Sequence, residues 1–297
     1  MEGELLNHPW RAAIALHLGL LLTGVPVAAQ DMMVGEPLTI GTSYPLAALG
    51  AERRINVVTP VGYENNETAY PLVLVLDGGL RQDFFLTLGM ERWNQLWQRS
   101  APAIFVGIET VDRQRELLPA TSDPEEGSRY PTAGESDAFR SWLTDAALPA
   151  LRKRYRTDGR AFLIGESAAG HFVVETWVKQ PGAFDGYAAL SPSLQWSGQA
   201  LSRAFHTAPE RHRPPLFLSL ANEGGATEEG VMRFAEDSNA CFADRRTQLE
   251  HATTLHGLFP EALQYLLPTD ADWLKDYGLT VGCVKRDQEA VADDVAH

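Results

Sequence analysis

An α/β fold with a mainly parallel sheet is predicted by two observations on this chain. Short runs that are wholly or almost wholly apolar recur between Gly or Pro residues, as at Leu72–Leu76 (LVLVL) and Leu216–Leu220 (LFLSL). Such runs are typical of strands buried on both faces, as in a parallel sheet covered by helices. Amphipathic helical patterns lie between the runs, for example over Ser136–Tyr155. We therefore expect helices on both faces and ligands at the carboxyl ends of the strands.

The same criterion places the other elements. Pro149 is expected to kink the helix over Ser136–Tyr155, because proline lacks a backbone N–H. Pro119–Glu135 is rich in Pro, Gly and acidic residues without periodicity, which predicts a long loop, either a lid or a plain surface excursion. The other predicted strands are Arg54–Thr59, Ala103–Ile108, Ala161–Ile164, Tyr187–Leu190 and Thr247–Glu250.

The first residues resemble a targeting sequence rather than part of the folded domain. An apolar run over Ala12–Leu22 follows Arg11 and precedes the small residues Val27–Ala29, which is the pattern of a secretory signal peptide. We predict a signal peptide over 1–29, one domain over 30–284 and a disordered tail over 285–297. The mature chain is then exported, periplasmic or secreted, without stable membrane insertion. An uncleaved anchor is the alternative, since the opening residues carry no net positive charge.

Composition narrows the classes of function. The chain has 297 residues, with 25 Lys and Arg against 39 Asp and Glu, for a formal net charge of −14. An acidic chain argues against nucleic acid as a partner, because phosphate binding needs clustered cations. The two cysteines, Cys241 and Cys283, are too few for a disulfide scaffold or a four-cysteine zinc site. A disulfide between them and two free thiols both remain open.

A reactive serine is indicated after the strand Ala161–Ile164. The sequence there is GESAAG over Gly165–Gly170, and a helical pattern follows. A serine between small residues at a sharp strand-to-helix turn is the nucleophile elbow of α/β-hydrolases. The turn exposes the hydroxyl of Ser167 and places the amide of Ala168 at a helix N-terminus, where it can hold an oxyanion. Ala169 stands in place of the usual glycine.

A serine nucleophile needs a base and usually an acid, which follow it in chain order in this fold. His251 and His256 are the late histidines, and His251 is favoured because it follows a predicted strand. Glu223 is the first carboxylate after Leu216–Leu220, and it would orient the imidazole. The alternatives are Glu228, Glu229 and a serine–histidine dyad without an acid.

A second oxyanion donor is expected in the loop after Leu72–Leu76. The residues Asp77-Gly78-Gly79-Leu80 stand there, and glycines let the backbone approach a ligand closely. We assign the role to the amide of Gly79, with Leu80 as the alternative.

Beyond these motifs, the chain resembles the esterase D and siderophore-esterase branch of the α/β-hydrolase superfamily. The resemblance implies a serine esterase, supports His251 as the base, and implies no metal and no organic cofactor. It also places Arg113 and Arg115 near the pocket, as substrate-binding residues, and makes Trp196 part of its wall. The resembling stretches are Arg54–Tyr63, Tyr70–Gly79, Val106–Pro119, Gly165–Gly170, Phe184–Trp196 and His251–Leu267.

The pattern of the branch is not matched everywhere. Glu166 precedes the serine where histidine or glutamine is usual, and Gln195 replaces an aromatic residue. The leading hypothesis is therefore hydrolysis of a small-molecule ester, with siderophore esters as one candidate substrate class. An acyltransferase of the same fold and a catalytically inactive exported binding protein are the alternatives.

Overall fold

The computed structural model describes residues 35–206 and 212–283. The predicted signal peptide and tail lie outside the described residues. From Gly41 onward, the described chain belongs to one compact unit. Across these two described ranges, no helix is both long enough and apolar enough to cross a bilayer.

A single sheet of eight strands organises the described chain. The strands are β1 (Thr42–Ala48), β2 (Ala51–Val58), β3 (Tyr70–Leu76), β4 (Ile104–Ile108), β5 (Thr157–Glu166), β6 (Gly186–Leu190), β7 (Leu216–Leu220) and β8 (Cys241–Asp244). Their order across the sheet is β1-β2-β4-β3-β5-β6-β7-β8. The β1–β2 and β2–β4 pairs are antiparallel, and every later pair is parallel.

Helices cover both faces of the sheet. Along β3, Leu72 and Leu74 belong to one buried cluster, which includes Phe172 of the helix after β5, whereas Val73 and Val75 belong to the other. This confirms the predicted α/β-hydrolase fold class. The helices are α1 (Phe84–Leu96), α2 (Arg113–Leu117), α3 (Pro124–Arg129), α4 (Ser136–Trp142), α5 (Leu148–Arg154), α6 (Ala168–Lys179), α7 (Trp196–His206), α8 (Gly225–Asp237) and α9 (Thr254–Leu266).

Two local predictions were wrong. Thr247–Glu250 is not a strand: the last strand is β8, and Glu250 makes only an isolated bridge to Asn222. Only one residue of Thr247–Glu250 is apolar, so it offers little to bury at a sheet edge, whereas β8 buries Cys241 and Ala243. The segment Pro119–Glu135 is also not wholly irregular.

That segment contains α3, whose start the sequence does encode. The Asp123 side chain accepts hydrogen bonds from the amides of Glu125 and Glu126, and Pro124 occupies the first helical position. An aspartate cap followed by proline is a common helix start. Near Pro149, a π-helical turn over Leu143–Ala147 separates α4 from α5.

The two cysteines are joined. Cys241 of β8 and Cys283 form a disulfide, with their Cα atoms 5.2 Å apart. Of the two alternatives left open by the sequence, the structure contains the disulfide. The bond ties the last described residues to the edge strand of the sheet.

Candidate active site

Ser167 lies on a strained turn between β5 and α6. Its backbone has φ 59° and ψ −118°, a conformation that a residue with a side chain seldom adopts. The turn is so tight that a Cβ on Gly165 would lie 2.6 Å from the carbonyl carbon of Ala169. Glycine is therefore required two residues before the serine, and the elbow has the local shape that the GESAAG string predicts.

The candidate oxyanion donors differ in their availability. Ala168 is the first residue of α6, so its amide has no acceptor within the helix. The amide of Gly79 instead donates to Oε1 of Gln82 at 2.9 Å, and Gln82 in turn donates to Thr110. Gly79 therefore needs Gln82 to move before it can serve as a donor. No hydrogen bond between the amide of Leu80 and another described residue is present.

A carboxylate and an imidazole meet at the same sheet edge as Ser167. Glu223 follows β7, and its Oε1 lies 2.6 Å from Nδ1 of His251. The same oxygen accepts a hydrogen bond from the hydroxyl of Ser191 at 2.5 Å, and that hydroxyl accepts from the amide of Ala221 at 3.0 Å. Ser191 thus helps to hold the Glu223 carboxylate in place, and that carboxylate in turn orients the imidazole of His251.

The resemblance implies that Ser191 belongs to the pocket wall, but the sequence does not predict its contact with Glu223. It directly follows β6, and β6 lies beside β7 in the sheet, which brings Ser191 next to the segment that carries Glu223. Its φ of 43° places the side chain on a second strained turn. The stretch Ser-Pro-Ser after an apolar strand was the available signal.

Electrostatics fit a charged carboxylate beside a basic imidazole. Burial acts to raise the pKa of Glu223, but the hydrogen bonds from His251 and Ser191 outweigh it and lower that pKa. The hydrogen bond to Glu223 is the main cause that raises the pKa of His251, against the effect of partial burial. An ionised carboxylate only accepts hydrogen bonds, so Nδ1 carries the proton and Nε2 is the free basic nitrogen.

That free nitrogen faces Glu166 in this structure. Its distance to Oε1 of Glu166 is 3.8 Å, whereas no hydrogen bond joins Ser167 to His251 among the described residues. The hydroxyl of Ser167 lies 3.4 Å from that of Ser193. Burial raises the pKa of Glu166 to about 7, and the charge of His251 opposes that rise.

Arg113, one of the two predicted substrate-binding arginines, lies close to this cluster. Its Nε donates to Asp77 at 2.7 Å, and its Nη2 lies 3.4 Å from the backbone oxygen of Glu166. Its side chain is 42% exposed, so part of the guanidinium faces solvent. Arg115 instead pairs with Glu135 at 2.7 Å, and none of its contacts within the described chain leads to the serine.

The remaining candidates occupy other positions. Trp196 is buried, donates to the backbone oxygen of Pro119 at 3.0 Å and packs edge-on against Tyr130. It therefore anchors the segment between α2 and α4. Glu228 pairs with Arg246, Glu229 accepts from Gln199, and His256 is exposed on α9. Within the described ranges, no cluster of three or more His, Cys, Asp or Glu residues is arranged to hold a metal ion.

Comparison with known proteins places this chain in a family. The family model described as "Putative esterase" matches residues 47–255. The ferri-bacillibactin esterase BesA of Bacillus subtilis is 28% identical over 136 residues, which cover 40% of this chain and 47% of BesA. The siderophore triacetylfusarinine C esterase of Aspergillus fumigatus is 26% identical over 211 residues, covering 62% of this chain and 66% of that protein.

Solved structures agree on the fold. The IroE-like serine hydrolase from Shewanella oneidensis superposes with a TM-score of 0.64 at 21% identity, over 76% of this chain and 80% of that one. The matches to the two curated relatives span about half and about two thirds of their lengths. The likeness to the solved structure, at this identity, concerns the fold.

Proposed function

Because the chain belongs to the esterase family of α/β-hydrolases, we propose that it is a serine hydrolase of carboxylic esters. The observation that carries the proposal is the convergence of Ser167, Glu223 and His251 at the carboxyl ends of β5, β7 and β8. The strained elbow and the 2.6 Å contact between the carboxylate and the imidazole are features that a purely structural turn does not require.

In the proposed first step, Oγ of Ser167 attacks the ester carbonyl carbon. Nε2 of His251 takes the hydroxyl proton as the C–O bond forms, and the carbonyl oxygen becomes an oxyanion. The amide of Ala168 donates to that oxyanion, with Gly79 or Leu80 as the second donor. Nε2 must turn from Glu166 towards Ser167 for this step, and catalytic contacts of this kind often tighten only with substrate.

In the proposed second step, the tetrahedral intermediate collapses. The imidazolium returns its proton to the alcohol oxygen, the alcohol leaves, and an acyl ester on Ser167 remains. Water then attacks that ester, with Nε2 of His251 taking a proton from the water and returning it to Oγ. Glu223 stays ionised throughout and stabilises the imidazolium in both halves.

We infer that the substrate is a small-molecule ester, with siderophore esters as the first class to test. The two curated relatives are named esterases of siderophores, one bacterial and one fungal. The partly exposed guanidinium of Arg113 beside the cluster provides a contact for an anionic group of the substrate.

We propose that the protein is exported. The support is the apolar run Ala12–Leu22 with the small residues that follow it. The Cys241–Cys283 disulfide is also suited to an oxidising compartment outside the cytoplasm.

The test is a panel of esters that includes p-nitrophenyl acetate and a catecholate siderophore. The wild type is expected to hydrolyse at least one of them, and Ser167→Ala to lose about 10⁴-fold or more in kcat. Ser193→Ala is the matched control, because it removes a neighbouring hydroxyl without removing the nucleophile. Hydrolysis that survives Ser167→Ala, or is lost equally in both variants, would contradict the proposal.

A further inference from the structure

A cavity lies near the start of β5, at the other end of this strand from Ser167. Its volume is about 570 Å³, which is within the range of small-molecule sites. Arg156, which precedes β5, lines it, whereas Ser167 follows the last residue of β5. The ten residues of that strand separate the two places by roughly 30 Å, at about 3.3 Å per residue.

The cavity collects positive charge on an acidic protein. Lys153, Arg154 and Arg156 line it, against the single lining carboxylate Glu64, although the whole chain carries a net charge of −14. Within the described part of the chain, none of the three cations lies within 4.0 Å of a carboxylate oxygen. Lys153 and Arg154 also end α5, where they offset the helix dipole, but that role does not require a hollow in front of them.

Arg156 is held beside the cavity by contacts with Tyr63 and Asn66. Its guanidinium lies 4.0 Å from the ring centroid of Tyr63, and its Nη2 donates to the backbone oxygen of Asn66 at 2.8 Å. Its Nε is buried, and no described atom accepts a hydrogen bond from it. The contacts with Tyr63 and Asn66 therefore hold the guanidinium in a fixed position beside the cavity.

Tyrosine hydroxyls complete the lining. The oxygen of Tyr44 accepts from Nε of Arg154 at 2.6 Å and lies 2.9 Å from the hydroxyl of Tyr155. Burial acts to raise the pKa of Tyr44, but its hydrogen bonds with Tyr155 and Arg154 act against burial, and the net pKa is lowered. Either hydroxyl can donate within the tyrosine pair, so the cavity wall carries hydroxyl groups beside the guanidinium of Arg154.

We propose that this cavity binds a small soluble molecule carrying a phosphate-type dianion. Two guanidinium groups and an ammonium group match a doubly charged group with several acceptor oxygens. The proposal is independent of the ester hydrolysis at Ser167, because the cavity and Ser167 lie at opposite ends of β5.

The probe is inorganic pyrophosphate, titrated calorimetrically into the full chain at constant ionic strength. The wild type is expected to bind one equivalent, and the Lys153→Gln/Arg154→Gln double variant to bind at least tenfold more weakly. Tyr44→Phe, which keeps the ring and removes the hydroxyl, is expected to weaken binding without abolishing it. Affinity is also expected to fall as NaCl is raised, because the contacts are ionic.

Arg152→Gln is the matched control. Arg152 belongs to the same last turn of α5, but its Nη2 donates to the backbone oxygen of Gly159 and it does not line the cavity. This variant is expected to bind within twofold of the wild type. Failure of the wild type to bind, or equal weakening in the control and in the double variant, would overturn the proposal. Unchanged unfolding temperatures would show that the variants are folded.

Discussion

Glu166 offers a sharp test of how the candidate base works. Its carboxylate lies 3.8 Å from Nε2 of His251, the nitrogen that must accept the serine proton. The negative charge of Glu166 helps to raise the pKa of His251, after the larger effect of the hydrogen bond to Glu223. Glu166→Gln removes the charge and keeps the size, and glutamine is a usual residue at this position in the branch that the chain resembles.

The size of the effect of Glu166 on the pKa of His251 follows from the distance between their charged groups. Two unit charges 3.8 Å apart interact by about 1 kcal/mol in a water-like medium and about 4 kcal/mol at an effective dielectric constant of 20. The His251 side chain is 46% exposed, so the lower figure applies. It corresponds to a fall of about one unit in the pKa of His251, because one unit equals 1.36 kcal/mol.

The direction in which the pH profile moves follows from the role of the imidazole as a base. Only neutral His251 can take the proton from Ser167, so kcat/KM falls as the pH drops through its pKa. In Glu166→Gln this acid limb is expected to lie lower than in the wild type by at most about one unit, because Glu166 is only partly ionised near pH 7. Because Glu166 itself has a pKa of about 7, the wild-type limb reports the pair rather than either group alone.

The assay is the pH dependence of kcat/KM for p-nitrophenyl acetate, from acid to mildly alkaline pH. Glu250→Gln is the control, since Glu250 adjoins His251 in the chain but its carboxylate accepts from Asn222 at 3.0 Å. The acid limb of kcat/KM in Glu250→Gln is expected to coincide with that of the wild type. An acid limb in Glu166→Gln that stays in place, or moves to higher pH, would refute the electrostatic reasoning.

Three further predictions concern the acid, the disulfide and a buried histidine. Glu223→Gln is expected to lower kcat by about 10²- to 10⁴-fold with a small change in KM, since the imidazole loses its orientation and charge partner; an unchanged kcat would exclude Glu223 as the acid. Replacing Cys241 and Cys283 by serine is expected to lower the free energy of unfolding by up to about 4 kcal/mol, from the loop closed by a sequence separation of 42 residues, as measured by urea unfolding. Burial lowers the pKa of His171 to about 4 from 6.5, so its contribution to stability is present above about pH 6.5 and is lost as the pH falls through 4. Between pH 7 and 4.5 the loss is roughly 2 kcal/mol, and His171→Leu is expected to remove that part of the pH dependence of urea unfolding.

Several parts of the fold and site were readable from the chain. The fully apolar run Leu72–Leu76 predicted a strand buried on both faces, because no polar position marks a solvent side. The small residues around Ser167 predicted the elbow, because only a tight turn makes a Cβ at Gly165 intolerable. Glu223 follows a strand that the structure contains, whereas the strand used to favour His251 over His256 is absent, so chain order and the family resemblance are the reasons for His251 that remain.

The remaining parts depend on the lateral order of the strands, which the chain does not display. Ser191 supports Glu223 only because β6 and β7 are neighbours, although the two residues are 32 positions apart. The orientation of Glu166 towards His251 likewise depends on how two separate loops meet. The strand predicted over Thr247–Glu250 is absent because β8 occupies the edge of the sheet, and the sequence does not show which segment lies there.

The central claim is that Ser167 forms a covalent acyl intermediate. The most direct measurement is labelling of the protein with a fluorophosphonate, followed by peptide mass spectrometry. The mechanism predicts one adduct per chain, located on Ser167 and strongly slowed in His251→Ala, which lacks the base. No adduct, or an adduct located on Ser193 or elsewhere, would contradict it.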